Sequence, residues 1–234
     1  MDLLPDVPSD HPCILASTQD RRRALTHGRL KEFIVGVRLD QFGLRTSDRV
    51  CVALPNGPES AVAFLALSLR CCFAPVSLSL SPGEFDFELE DLPAAAVLVQ
   101  RGVLENGPVL ECAARRGVPV IELVPDLHEC GVFTLHPGPR VAQSGSTPTE
   151  GPGPLQTRFS VCLVLHTSGT TKKPKVVPLT QENLCTGALS IGSTIQLTPA
   201  DRCLNVMPLF HIHGLVINVL ASVLYGASVV CTEG

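Results

Sequence analysis

The sequence predicts an α/β fold with mainly parallel sheets flanked by helices. Apolar runs of strand length recur along the chain, and stretches of helical length follow them. Glycine, proline and serine separate the runs. Strands alternating with helices are the signature of an α/β architecture. A chain of 234 residues can build one large core or two smaller domains. With 45% hydrophobic and 17% charged residues it is globular rather than disordered. Aromatics are only 4% and tryptophan is absent, so aliphatic and small side chains must fill the core. The net charge of −4 gives no general attraction to nucleic acid, and no such partner is expected.

Residues 1–24 read as an N-terminal extension, acidic and proline-bearing at the start and without the basic and apolar regions of a signal peptide. Residues 25–135 read as a first α/β subdomain. Leu30, Phe33, Ile34 and Val37 recur at helical spacing and predict a helix over about 29–40. Residues 49–54 form a short apolar strand, and Pro55-Asn56-Gly57-Pro58 a turn. Residues 59–70 are apolar nearly all round, which predicts a buried helix. A strand at 73–76 follows. Ser81, Pro82 and Glu84 then open a helix with an N-cap, a first-turn proline and a capping box. Strands at 95–99 and 119–123 flank a helix at 107–116. Residues 136–157 are dense in glycine, proline, serine and threonine and read as a loop. Residues 158–234 hold a strand at 161–165, a polar loop, a helix capped by Thr180 with Glu182 in its first turn, a strand at 202–206, an apolar helix at 215–225 and a strand at 227–231. This last region reads as a phosphate-loop region and the start of a second, incomplete α/β subdomain.

Ten cysteines lie mostly in or beside apolar runs, and no CxxC pair occurs. They read as reduced core residues rather than disulfides or a zinc ribbon. That fits an intracellular protein, with the cytoplasm as the expected compartment. A peroxisomal address would belong to the C-terminus of a longer form. No apolar run reaches the about 18–20 residues that span a bilayer, so no stable membrane insertion is expected.

The most informative stretch is His166-Thr167-Ser168-Gly169-Thr170-Thr171-Lys172-Lys173-Pro174-Lys175. It places hydroxyls, a glycine and three lysines after an apolar strand. Small residues let backbone N–H groups approach a polyphosphate, hydroxyls donate to it, and lysines neutralise it. A solvated turn uses the same residue types. The stretch matches neither GxxxxGK[ST] nor GxGxxG.

The string Thr167-Ser168-Gly169-Thr170-Thr171-x-x-Pro174-Lys175, continued by Val177-Pro178-Leu179-Thr180, resembles the phosphate-loop signature of the adenylate-forming enzymes. These include acyl-CoA synthetases, luciferases and peptide-synthetase adenylation domains. Pro208-Leu209-Phe210-His211-Ile212-His213-Gly214 resembles a second motif of that superfamily, and Asp48-Arg49-Val50 to Pro55-Asn56 its first strand and "PN" turn. His166, Pro178-Leu179-Thr180-Gln181 and the F-H-x-H-G spacing look most like oxalate–CoA ligase-type members. Lys172 and Val176 stand where the superfamily usually has glycine, and Gln181 where it often has histidine. A β-branched valine does not easily take φ > 0, so Val176 puts the loop's geometry in question.

The resemblance implies the first part of the large N-terminal domain of an adenylate-forming enzyme. It implies a carboxylate attacking the α-phosphate of ATP, then transfer of the acyl group to coenzyme A. Thr167, Ser168, Gly169, Thr170, Thr171, Lys172 and Lys175 would hold the β- and γ-phosphates. Thr171 would face Mg²⁺, Lys175 would neutralise charge, and His211 would border the carboxylate of the acyl substrate. That substrate is expected to be oxalate or a short- or medium-chain acid. His211 also reads as a residue that caps the following helix, and for His213 a structural role is favoured. A metal site built from His166, His211 and His213 is a weak alternative. The superfamily's Y-G-x-T-E segment, T-G-D aspartate and C-terminal lysine domain are not among these residues. The chain alone is therefore expected not to complete acyl-CoA synthesis. It is expected to self-associate through an unburied 215–225 helix and an open 227–231 strand edge. The alternative is a non-catalytic binding or regulatory product that keeps the loop.

Overall fold

The computed structural model describes residues 5–138, 154–167 and 175–232. Two sheets form the frame. The larger has the order β7-β6-β5-β3-β4-β8-β9 and the smaller β10-β11-β1-β2. The larger comprises β3 (Arg49–Ala53), β4 (Cys72–Pro75), β5 (Ala96–Gln100), β6 (Val120–Pro125), β7 (Phe133–Pro137), β8 (Val161–Thr167) and β9 (Lys175–Thr180). Its five central strands run parallel. The two outer strands, β7 and β9, are antiparallel to their neighbours. In the smaller sheet β10 (Arg202–Asn205), β11 (Ser228–Cys231) and β1 (Pro12–Ala16) are parallel, and β2 (Leu25–Thr26) turns back.

The helices lie where their apolar patterns require. α2 (Pro58–Leu67) is buried at all ten positions. It touches β4 of the large sheet and both β1 and β11 of the small one, so no side of it meets water. Phe64 meets Phe73 edge-on at 5.6 Å. α1 (His27–Gly36) packs on α2 and buries Leu30 and Ile34. α3 (Pro82–Asp91) and α4 (Gly107–Arg116) cover the opposite face, where Phe85, Leu89, Val109 and Cys112 enclose a second core with Val97 and Val99. The α3 capping box forms as predicted between Ser81 and Glu84. α5 (Gln181–Thr194) is capped by Thr180, and Asn183 completes the box.

Several boundaries and elements differ from the sequence reading. The first helix ends at Gly36, because Val37 turns to extended backbone. The stretch read as an extension contains β1, which pairs Ile14 with Val229 deep in the second sheet. Phe133–Pro137 pairs with β6 and intrudes on the stretch read as loop, of which 139–153 lie outside the described residues. The predicted 215–225 helix begins as a π-helical run at His213–Leu220 and continues as α6 (Ala221–Leu224).

The expected open edge at 227–231 is corrected. β11 is an inner strand between β10 and β1. Leu215, Val219 and Val223 are buried against neighbours that include α5 and α2. The N-terminal strand and the helices between the sheets supply the cover that the sequence reading held to be missing. All ten cysteines are free, with eight buried and Cys185 and Cys203 half-buried. Among the described residues no helix is long and apolar enough to cross a membrane.

Because β1 is an inner strand, Ile14→Ala is expected to destabilise the chain by about 2–5 kcal/mol. Urea unfolding followed by circular dichroism measures this. A loss under about 0.5 kcal/mol, typical of a surface site, would show that β1 is dispensable.

Candidate functional site at the carboxyl ends of the strands

Three sequence motifs end at corresponding places. Thr167 closes β8 at its carboxyl end, Pro55-Asn56 follows the carboxyl end of β3, and the turn at 206–212 follows the carboxyl end of β10. In open parallel sheets ligands bind outside these ends. The turn holding His211 is tied to the large sheet by one bond: Leu209 N–H donates to Asn56 Oδ1 at 2.8 Å.

The same turn is held from behind by Asn205, which is 1% exposed at the end of β10. Its Nδ2 donates to the Met207 carbonyl at 3.1 Å, and its Oδ1 accepts from Asn218 Nδ2 at 2.8 Å. His211 itself is exposed. Its Nδ1 accepts from His213 N–H at 3.3 Å, at the first residue of the π-helical run. His211 thus touches the first residue of the helix, whose N-cap is Ile212, and its Nε2 is not engaged in that bond. Gly214 permits the close approach behind it, since a Cβ there would stand 2.5 Å from the Pro208 carbonyl oxygen.

The flanks of the phosphate loop pair across the β8–β9 hairpin. Thr167 is opposite Lys175, His166 opposite Val176, and Leu165 opposite Val177. Thr167 Oγ1 lies 3.5 Å from the Lys175 carbonyl. Ser168, Gly169, Thr170, Thr171 and Lys172 lie outside the described residues. Among the described residues no hydrogen bond or ion pair joins His211 to Thr167 or Lys175.

Val176 occupies an ordinary strand position. Gln196 is the one non-glycine residue with positive φ among those described, so the backbone at 176 makes no demand that valine resists.

Sequence reasoning missed the partners of His166. Its side chain is 10% exposed, and its two ring nitrogens face two carboxylates of the last turn of α3. Nδ1 meets Glu88 Oε2 in a close ion pair, and Nε2 meets Asp91 Oδ2 at 3.1 Å. The Glu88 carboxylate against Nδ1 raises the His166 pKa above the ordinary histidine value; burial opposes this, and Asp91 adds to it. The spacing of Glu88 and Asp91, three apart on one helix face, was the only available signal. His166 is thus committed to this pair and not to His211 and His213. No group of three or more His, Cys, Asp or Glu residues suited to a metal occurs among the described residues.

Another feature invisible in the sequence is a cavity of about 420 Å³ where the carboxyl ends of both sheets meet, lined by Ser17, Asn56, Glu59, Gln100, Asp126 and Cys231 among others. Arg22 crosses this region, donating to Glu59 Oε1 at 2.6 Å and to the Asp20 carboxylate at 2.7 Å. Glu59 also accepts from Gly131 N–H at 2.9 Å. These bonds satisfy a carboxylate that is otherwise buried at the start of α2.

Comparison with known proteins follows from this arrangement. The model of the AMP-binding enzyme family matches residues 6–234. The chain belongs to the AMP-binding enzyme family. It is 34% identical over 203 residues to an oxalate–CoA ligase of Saccharomyces cerevisiae, covering 80% of this chain and 37% of the relative. It is 32% identical over 234 residues to an oxalate–CoA ligase of Arabidopsis thaliana, covering 97% of this chain and 44% of the relative. The chain thus spans less than half the length of these AMP-binding relatives. Its fold matches the ATP-bound MatB of Rhodopseudomonas palustris with a TM-score of 0.75 at 22% identity, over 97% of this chain and 43% of that one.

Two substitutions test the site's scaffold. Asn56→Ala is expected to lower stability by about 1–3 kcal/mol and to shift the His211 imidazole resonances, because it orphans the Leu209 N–H. Unmoved His211 resonances would break the proposed tie. Val176→Gly, which restores the superfamily's usual residue, is expected to lower the melting free energy by up to about 1 kcal/mol, because glycine weakens a strand. A gain in thermal stability would mean that the strand favours glycine there.

Proposed function

We propose that this chain carries the pyrophosphate-holding part of an ATP-dependent acid–thiol ligase, which adenylates a small carboxylic acid and passes the acyl group to coenzyme A. The observation that carries the reading is the pairing of Thr167 with Lys175 at the carboxyl end of a parallel strand. It brings both flanks of the hydroxyl- and lysine-rich stretch to the end of the sheet where α/β folds receive phosphates.

In this reading Thr167, Ser168, Gly169, Thr170 and Thr171 donate to the β- and γ-phosphates through hydroxyls and backbone N–H groups. Lys172 and Lys175 neutralise the charge that passes to the departing pyrophosphate. Catalysis of phosphoryl-type transfer rests on such positioning and charge stabilisation. Mg²⁺, when bound with the nucleotide, would screen the phosphate oxygens, with the hard hydroxyl oxygen of Thr171 as the residue nearest to it in role. His211 Nε2 would hold the acyl carboxylate by a charge-assisted hydrogen bond. The oxalate–CoA ligase relatives favour oxalate, or another short acid, as the substrate class.

Calorimetry with magnesium pyrophosphate tests the reading. The chain is expected to bind it, and Lys175→Ala to weaken binding by about tenfold through loss of one charge-assisted contact worth roughly 1.5 kcal/mol. No heat of binding at millimolar pyrophosphate would overturn it. Oxalate-dependent exchange of labelled pyrophosphate into ATP would go further and show the chain to be competent for adenylation by itself.

A further inference from the structure

His166 is half-buried near the end of β8, and it lies on the same side of β8 as Val164. Its contacts are unusual because both ring nitrogens meet carboxylates: Nδ1 meets Glu88, and Nε2 meets Asp91. A neutral imidazole has one N–H and can donate to only one of them, leaving a lone pair aimed at the other carboxylate. Only the imidazolium presents a proton toward both, and Glu88 Oε2 is buried with no hydrogen-bond partner besides this ion-pair contact.

We infer that His166 is a positioning residue, held as an imidazolium between Glu88 and Asp91, which locks the carboxyl end of β8 to α3 and so fixes the flanks of the pyrophosphate-holding loop. This rests on the proposed function above. The lever is short. Thr167 follows His166 directly, and Lys175 is paired opposite Thr167. β9 is the outermost strand of its sheet, so β8 is its only sheet partner among the described residues. Rotation of β8 about its end would carry both flanks with it.

The groups around the ring are few. α3 contributes Glu88 and Asp91, and β9 places the apolar Val176 opposite. Behind Glu88, on β3, the Cys51 thiol is pushed up to about 12, by burial first and by the Glu88 charge second, so it stays neutral. Nothing else charged among the described residues competes for the proton. A histidine whose folded pKa lies above its ordinary value stabilises the fold below that ordinary value, and the contribution is lost as pH rises through the folded value. The contribution of the lock is therefore present in mild acid and is lost as pH rises through the raised folded value.

The test uses the 234-residue chain and two readouts. Nitrogen-15 NMR of the histidines follows the protonation of His166. Calorimetry with magnesium pyrophosphate compares the wild type with His166→Phe across pH, so that protonation of pyrophosphate itself cancels in the ratio. In mild acid, below the His166 titration point, both His166 nitrogens are expected to be protonated, with wild-type affinity about tenfold above that of His166→Phe, the scale of a small misplacement of binding groups. The ratio should fall toward one over the pH interval in which His166 titrates. A ring that is singly protonated even in mild acid, or a ratio that does not follow the titration, overturns the inference. Should His166→Phe fail to fold, Asp91→Asn at a half-exposed position replaces it, with a lower His166 titration point and weaker binding expected, and an unmoved titration point counting against the lock. Wild-type binding with a pH-independent ratio removes only the lock. Absence of binding by every variant at every pH removes the loop reading, and the lock with it.

Discussion

The structure depends on the burial of α2 between two sheets. Every one of its ten residues is buried, and its neighbours come from both ends of the chain. A helix in that position must be apolar all round, because any polar group would need a partner brought in from elsewhere. The one charged residue there, Glu59, has such partners in Arg22 and the Gly131 N–H. Removing one side of a buried pair of this kind costs about 3–5 kcal/mol, since it strands the remaining charge. The Arg22–Glu59 pair thus ties the N-terminal segment to the helix on which both sheets rest.

The position of α2 also sets the candidate site. The turn that starts it presents Asn56 to the Leu209 N–H, which fixes the His211 turn of the small sheet against the large one. Thr167 and Lys175, which flank the hydroxyl- and lysine-rich stretch, pair at the same sheet's carboxyl edge. Parts of the site that come from different sheets therefore keep their relation through one buried helix and one hydrogen bond at its entrance. The cavity where both sets of strand ends meet is a consequence of the same geometry.

Charge is used sparingly and locally. The buried thiols are pushed toward neutrality by desolvation, so most of the ten cysteines act as small apolar fillers rather than nucleophiles. His27 is buried against the Ala227 carbonyl, and its pKa is lowered chiefly by burial. His166 is shifted the opposite way because it is offered carboxylates instead of a carbonyl. The two histidines show how the partner decides the sign of the shift when both side chains are withdrawn from water.

The sequence alone determined the local features. Apolar runs and helical spacing showed the alternation of strands and helices; the cap at Ser81 followed from Glu84 three residues on, and that at Thr180 from its hydroxyl with Glu182 in the first turn. The hydroxyl-, glycine- and lysine-rich stretch carried the resemblance to the family, because its residues are contiguous in the sequence. Tertiary structure decided what depends on distant partners. β1 is too short and irregular to stand out until β11 pairs with it. The edge strands β7 and β9 carry no clean alternation, since their register comes from the strands they join. Val176 has an extended strand backbone for the same reason, because it pairs with His166, and no positive φ is required there. The roles of Asn56, Asn205 and His166 depend on which groups the packing brings within about 3 Å, the reach of a hydrogen bond, and no one-dimensional pattern encodes that distance.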